Sequence, residues 1–142
     1  MPPTNDCLRL SVWSGPRNVS TALMYAFAQR ADTRVVDEPL YGHYLKVTGA
    51  PPPGADEVIA VLETDGQRVV DEVLLGPSDR PVLFFKNMAH HLTGLDPAFM
   101  RQLTNVLLIR NPEEMLPSLA VNLEQPTLRD TGFKHQVEIL DM

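Results

Sequence analysis

Leu8-Arg9-Leu10-Ser11-Val12-Trp13-Ser14-Gly15-Pro16-Arg17-Asn18-Val19-Ser20-Thr21-Ala22-Leu23 decides the fold. The apolar run over residues 8–13 reads as a buried strand. It ends in a tight turn carrying Gly15, Pro16 and Arg17. Ser20 and Thr21 then open a helix predicted over residues 20–30, with Leu23, Ala26 and Phe27 on one face. Strand, loop and helix N-terminus is a layout that binds phosphate, because free backbone N–H groups and the positive end of the helix dipole face the loop. Arg17 and the two hydroxyls would add charge-assisted hydrogen bonds. The competing reading is an ordinary strand-to-helix turn capped by the Ser20 hydroxyl.

The loop departs from a Walker A motif, which ends in Gly-Lys-Ser/Thr. Here Asn18-Val19 precede Ser20-Thr21, and the cation, Arg17, stands earlier. A magnesium-dependent P-loop kinase or nucleoside triphosphatase is disfavoured, even though Val35-Val36-Asp37-Glu38 could pass for a short Walker B. A non-catalytic P-loop module that binds nucleotide or a partner is the other rival.

Working outward, residues 33–36 read as a second strand ending at Asp37-Glu38-Pro39, and residues 41–47 as a short helix. The proline-rich stretch 50–54 reads as a mobile surface loop. Residues 55–75 read as two helices broken at Asp65-Gly66. Residues 82–85 and 106–109 are unbroken apolar strands, and 97–103 is helical. Asn111-Pro112-Glu113-Glu114 is a helix start, with a capping Asn, Pro at the first position and acids in the first turn. Strands alternating with helices predict a single α/β domain over residues 1–142, in three layers around a parallel sheet buried on both faces. Ligands of such sheets sit beyond the carboxyl ends of the strands. The polar groups fall there: Ser14 to Thr21, Asp37-Glu38, Lys86 with His90-His91, and Arg110.

The chain has 142 residues, 44% of them hydrophobic, enough for one globular core. No apolar run is long enough to span a membrane. The N-terminus lacks a basic and then apolar leader, and the single Cys7 allows no internal disulfide. A cytoplasmic location is the expectation. No Cys/His cluster has zinc spacing, so no metal is expected. The formal charge of −6 argues against extended nucleic-acid binding, which needs a basic face. A small anionic ligand remains compatible, because local cations decide that.

A second informative segment runs from Leu107 to Ser118. Arg110 sits where the fourth strand leaves the sheet, and Ser118 lies about two helical turns further on. Both can reach one phosphate only if the helix folds back beside the strand end. An Arg at a helix end and a helical Ser back-bonding to a carbonyl would be the structural alternative. Pro117, inside the helix, costs roughly 3 kcal/mol unless accommodated.

Together, Pro16-Arg17-x-x-Ser20-Thr21 and Arg110-Asn111-x-x-Glu114-x-x-x-Ser118 resemble the two signatures of the sulfotransferase family for its donor, 3′-phosphoadenosine 5′-phosphosulfate (PAPS). The stretch Trp13 to Leu45 is similar to bacterial and plant sulfotransferase-like proteins, some fused to, or named after, aminotransferase domains, including branched-chain aminotransferase-like ones. The resemblance covers essentially the whole chain and implies a P-loop fold. It implies a transferase moving a sulfuryl group from PAPS to a hydroxyl or amine of a small-molecule acceptor.

The resemblance also assigns roles. Gly15, Pro16, Arg17, Asn18, Val19, Ser20 and Thr21 would hold the 5′-phosphosulfate, with Arg17 neutralising the leaving phosphate. Arg110 and Ser118 would hold the 3′-phosphate. Lys86 would be a donor-binding cation facing the same crevice. Glu38 is the favoured general base, and Pro39 is expected to push it into an extended conformation. Its alternatives are a solvated carboxylate or an ion-pair partner of Arg17. His90 or His91 is the other base candidate, because Lys86-Asn87-Met88-Ala89-His90 loosely matches the family's Lys-x-His. Val19 stands where many relatives have Gly, and its β-branch resists positive φ. Residues 48–55 would border the acceptor site. The family's later Gly- and Lys-containing loop does not follow Phe133 to Glu138, so a C-terminally truncated domain is the expectation.

Overall fold

A computed structural model describes residues 6–49, 57 and 60–142. The sheet has four parallel strands: β1 (Leu8–Ser14), β2 (Thr33–Asp37), β3 (Val82–Met88) and β4 (Thr104–Leu108), in the order β2-β3-β1-β4. The helices are α1 (Ser20–Ala28), α2 (Tyr41–Thr48), α3 (Gly66–Val69, continued by a π turn Val70–Leu74), α4 (Pro112–Ala120), α5 (Leu128–Thr131) and α6 (Phe133–Leu140). Two 3₁₀ segments, Ala89–Leu92 and Pro97–Gln102, flank the path from β3 to β4.

Strand pleating sorts the core into two layers, since successive side chains face opposite sides. Val12 and Phe84 face α1, where they meet Met24, Leu23 and Phe27, and Phe27 stacks on Phe84 at 4.5 Å. Trp13, Leu83 and Phe85 face the other way, onto Leu40, Val69, Val70, Leu74, Phe99 and Ile139. That is the expected α/β, three-layer arrangement. The connection after β1 runs to one side of the sheet and the one after β3 to the other. This reversal leaves a crevice at the carboxyl ends.

Several boundaries differ from the sequence reading. The helix over residues 20–30 stops at Ala28, and that over residues 41–47 extends to Thr48. β3 runs three residues past Phe85, because Lys86, Asn87 and Met88 still pair with β1 and only their side chains are polar. β4 begins at Thr104 rather than Val106, since Thr104 and Asn105 pair with Leu10 and Ser11. Ile109 lies outside it and is exposed. Burial on both faces holds for β1 and β3 but not for β4, an edge strand whose first three residues are exposed. The break at Asp65-Gly66 is where Asp65 caps α3, its carboxylate accepting from the Arg68 N–H. Of the segment expected to be helical before it, Ala60 and Val61 are helical and residues 62–64 are not, while residues 55, 56, 58 and 59 lie outside the described residues, as do the proline-rich stretch 50–54 and most of the 48–55 segment. Among the described residues no helix is long and apolar enough to cross a membrane.

Candidate active site

The loop of residues 15–19 leaves β1 near the middle of the sheet. Gly15 is required there by close approach: a Cβ would lie 2.7 Å from the Thr131 backbone oxygen. The left-handed residue of the loop is Arg17, with φ of 56°. Val19 has φ of −82°, so its β-branch meets no conflict. The Asn18 side chain donates to the Leu108 carbonyl at 3.2 Å and accepts from the Val19 N–H at 2.8 Å, tying the loop to the end of β4.

Val19, not Ser20, occupies the N-cap of α1, and no side chain caps the helix. The ordinary Ser20 cap is therefore absent: Ser20 is the first helical residue and is buried. The first turn of this nine-residue helix also lacks an acid. Its leading N–H groups and dipole are left facing the loop.

Helix α4 does fold back beside the strand ends. Asn111 caps it by accepting from the Glu113 N–H at 3.0 Å, and Pro112 takes its first turn. The helix runs through Pro117, giving up that residue's backbone bond. Ser118, two turns along, accepts from Arg17 Nε at 2.8 Å. Arg110 donates to the Arg17 carbonyl. The two sequence segments thus meet at Arg17. Neither guanidinium pairs with a carboxylate among the described residues. Two uncompensated cations beside an uncapped helix start are suited to a ligand carrying several negative charges.

Lys86, Asp37 and Glu38 form a second cluster at the neighbouring strand ends. Lys86 is 7% exposed and sits within β3. It therefore lies inside the strand rather than just past its end, where the sequence reading placed it. Its ammonium donates to Asp37 at 2.9 Å and lies 3.9 Å from Glu38. Glu38 is not extended: its φ is 45°, a left-handed value. Pro39 disfavours the right-handed helical region there. The chain must also turn off the sheet, so the Glu38 N–H donates to the Lys86 carbonyl at 2.8 Å while its own carbonyl receives the Tyr41 N–H at 3.1 Å. The cation near Glu38 is therefore Lys86 rather than Arg17, at 3.9 Å and outside hydrogen-bonding distance. Arg17 and Glu38 are the non-glycine residues of positive φ among those described, and such strain concentrates at functional sites. Burial pushes the Glu38 carboxyl above its ordinary range; Lys86 opposes the rise and Asp37 adds to it.

A cavity of about 330 Å³ opens between these clusters, lined by Pro16, Glu38, Tyr41, Met88, His90, His91, Leu119, Leu123 and Asp130. Tyr41 stacks on His91 at 5.4 Å, and Tyr44 packs on both histidines at 4.9 Å. Burial holds His90 down at about 4, helped by the nearby His135 charge, and depresses His91 further. Both rings are therefore neutral at pH 7. A larger cavity of about 640 Å³ lies at the amino end of β4, against Leu103, Asn105 and Ile139, away from the strand ends that carry the chemistry.

A profile of the family described as "Sulfotransferase domain" matches residues 8–142. The chain belongs to that family. This sulfotransferase domain is 41% identical over 128 residues to "Branched-chain-amino-acid aminotransferase-like protein 1" of Arabidopsis thaliana, covering 89% of the chain and 23% of the relative. It is 44% identical over 131 residues to "Branched-chain-amino-acid aminotransferase-like protein 2" of the same plant, covering 92% and 23%. The chain spans about a quarter of the length of these relatives. No solved structure matches it significantly.

Sequence reasoning missed three contributors to this sulfotransferase domain's site. Gln136, buried on α6, donates to the carbonyls of Trp13 at 3.2 Å and Leu108 at 2.9 Å, clamping β1 to β4 below the loop. Tyr41 and Asp130 line the cavity from α2 and α5. A polar residue on the apolar face of an amphipathic helix was the signal for Gln136; the other two had none.

Proposed function

We propose that this domain transfers a sulfuryl group from PAPS to a hydroxyl or amine of a small-molecule acceptor. The observation that carries the reading is the Arg17–Ser118 contact at 2.8 Å, which unites both donor signatures at one anion-ready loop. Gly15 to Thr21 would hold the 5′-phosphosulfate, and Arg110 with Ser118 the 3′-phosphate.

When bound, PAPS supplies a sulfuryl group joined to a phosphate leaving group. The residues have two tasks. Arg17, with the Ser20 and Thr21 groups and the start of α1, neutralises charge that develops on the leaving phosphate oxygen. Glu38 takes the proton of the acceptor as the new bond to sulfur forms and the sulfur–phosphate oxygen bond breaks, the electron pair departing with the phosphate. Its position on the cavity wall and its burial favour Glu38 over the histidines, whose depressed proton affinity makes them weak bases at neutral pH. The cavity, bounded by Tyr41, Leu119 and Leu123, would take the acceptor.

Calorimetry with 3′,5′-bisphosphoadenosine against ADP tests the donor assignment. Tighter binding of the bisphosphate, with label passing from sulfur-labelled PAPS to an acceptor in a panel of alcohols and amines, is the expected result. Binding without transfer to any acceptor would leave a nucleotide-binding module instead, and magnesium-dependent ATP turnover would select the kinase-like rival.

A further inference from the structure

We propose that Asp37 is a positioning residue of this site: it anchors the Lys86 ammonium away from the Glu38 carboxylate and so keeps Glu38 available to take the acceptor's proton. The inference rests on the reading of Glu38 as the base.

The geometry begins with register. Asp37 of β2 lies opposite Lys86 of β3, so their side chains share a face. The left-handed turn at Glu38 ends the strand's alternation and leaves a second carboxylate near the same ammonium. Lys86 is almost buried, and a buried cation must be compensated. Two carboxylates therefore compete for it. Asp37 wins at 2.9 Å, within hydrogen-bonding distance, while Glu38 stands off at 3.9 Å. Of the three, Glu38 is the one that lines the cavity.

Without the Asp37 charge, the nearest carboxylate for Lys86 is Glu38. A direct pair would hold Glu38 deprotonated, point it inward and weaken it as a proton acceptor. Asp37 also raises the proton affinity of Glu38 directly, through its own negative charge. The two effects act in one direction. The other titratable groups around Glu38 are Tyr41 on α2, His90 and His91 after β3, and Asp130 on α5. The first three are neutral at pH 7. The Asp130 carboxylate is engaged by the N–H and hydroxyl of Thr127.

The test follows the Glu38 carboxyl by carbon NMR on the 142-residue chain labelled at glutamate side chains, its signal assigned by loss in Glu38→Gln. Asp37→Asn is expected to lower the Glu38 midpoint below that of the unsubstituted chain. The acid limb of the rate profile for sulfuryl transfer should move the same way. Lys86→Met, read in parallel, should raise the midpoint, and it keeps the test alive if Asp37→Asn does not fold. An unmoved midpoint in folded Asp37→Asn, or in folded Lys86→Met, would overturn the proposal. So would reduced turnover in Asp37→Asn with an unshifted pH profile, which marks a merely structural role. The midpoint is read without donor or acceptor, so failure of bisphosphoadenosine to bind would count against the donor assignment and not against the Asp37–Lys86–Glu38 arrangement. Full turnover in Glu38→Gln would overturn the proposal too, since Asp37 would then tune a carboxylate that the chemistry does not use.

Discussion

Arg17 donates through Nε to the Ser118 hydroxyl at 2.8 Å, across 101 residues of sequence. The bond fixes the long side chain of the loop after β1 against a helix that follows the end of β4. A guanidinium so placed loses less freedom when an anion arrives, which is how preorganisation raises affinity.

Removing that anchor is the first prediction. Ser118→Ala takes away an exposed hydrogen bond, so stability should change by no more than about 0.5 kcal/mol. Affinity for 3′,5′-bisphosphoadenosine should fall by roughly twofold to tenfold, the worth of one hydrogen bond. Denaturant melts and calorimetry measure the two. Unchanged affinity would mean that Ser118 neither anchors Arg17 nor holds the 3′-phosphate.

Arg110 has two candidate tasks, reading the 3′-phosphate and holding the Arg17 carbonyl. Arg110→Ala should weaken the bisphosphate by roughly tenfold to a hundredfold, because hydrogen bonds to charged groups contribute about 1.5–3 kcal/mol. ADP, lacking the 3′-phosphate, should lose much less. Equal losses would show that Arg110 acts on the loop alone.

Gly15 tests how tightly the loop is packed. In Gly15→Ala the new Cβ meets the Thr131 backbone oxygen at 2.7 Å, and neither atom is the end of a flexible side chain. Melting should show a loss of about 1–3 kcal/mol, the usual cost of overpacking. A neutral result would place α5 further from the loop.

The strand-loop-helix order and the parallel sheet were legible in the sequence because each rests on local signals, whereas the Arg17–Ser118 contact spans 101 residues and no local signal announces it. Apolar runs mark β1 and β3, and Asn111-Pro112 marks a helix start. Edges were less legible: Thr104 and Asn105 look like loop residues, yet the β1 ladder recruits them. Lys86 was misjudged for a related reason. Its polarity suggested a strand end, whereas Asp37 opposite it makes burial inside the sheet tolerable. The turn at Glu38 was hidden because the rule about Pro39 excludes one conformation without choosing between the others. Gln136 clamps carbonyls more than a hundred residues and twenty-eight residues away, a contact no local pattern announces.

Glu38 carries the chemistry in this reading. Glu38→Gln should lower sulfuryl-transfer turnover by about 10²–10⁴ while leaving bisphosphoadenosine affinity within a few-fold. His90→Ala and His91→Ala should each cost far less in rate. A fully active Glu38→Gln chain beside an inactive histidine variant would reverse the assignment.

The same histidines govern acid stability. Burial holds the His90 proton affinity at about 4, against 6.5 for a solvated ring, and lowers His91 further. Both have a buried Nδ1 with no hydrogen-bond partner, so a second proton would leave an unsatisfied N–H in the core. The unfolded chain binds those protons more readily than the folded one, so stability falls as pH drops. The loss begins near pH 6.5, where unfolded histidine titrates, and for His90 is complete near pH 4. At 1.36 kcal/mol per unit, His90 alone accounts for roughly 3 kcal/mol. Denaturant midpoints should therefore be flat above pH 7 and drop steeply between pH 6.5 and 4. His90→Phe, which keeps an aromatic ring against Tyr44, should flatten part of that slope. A wild-type profile level down to pH 4 would show that the rings are solvated or find acceptors in solution.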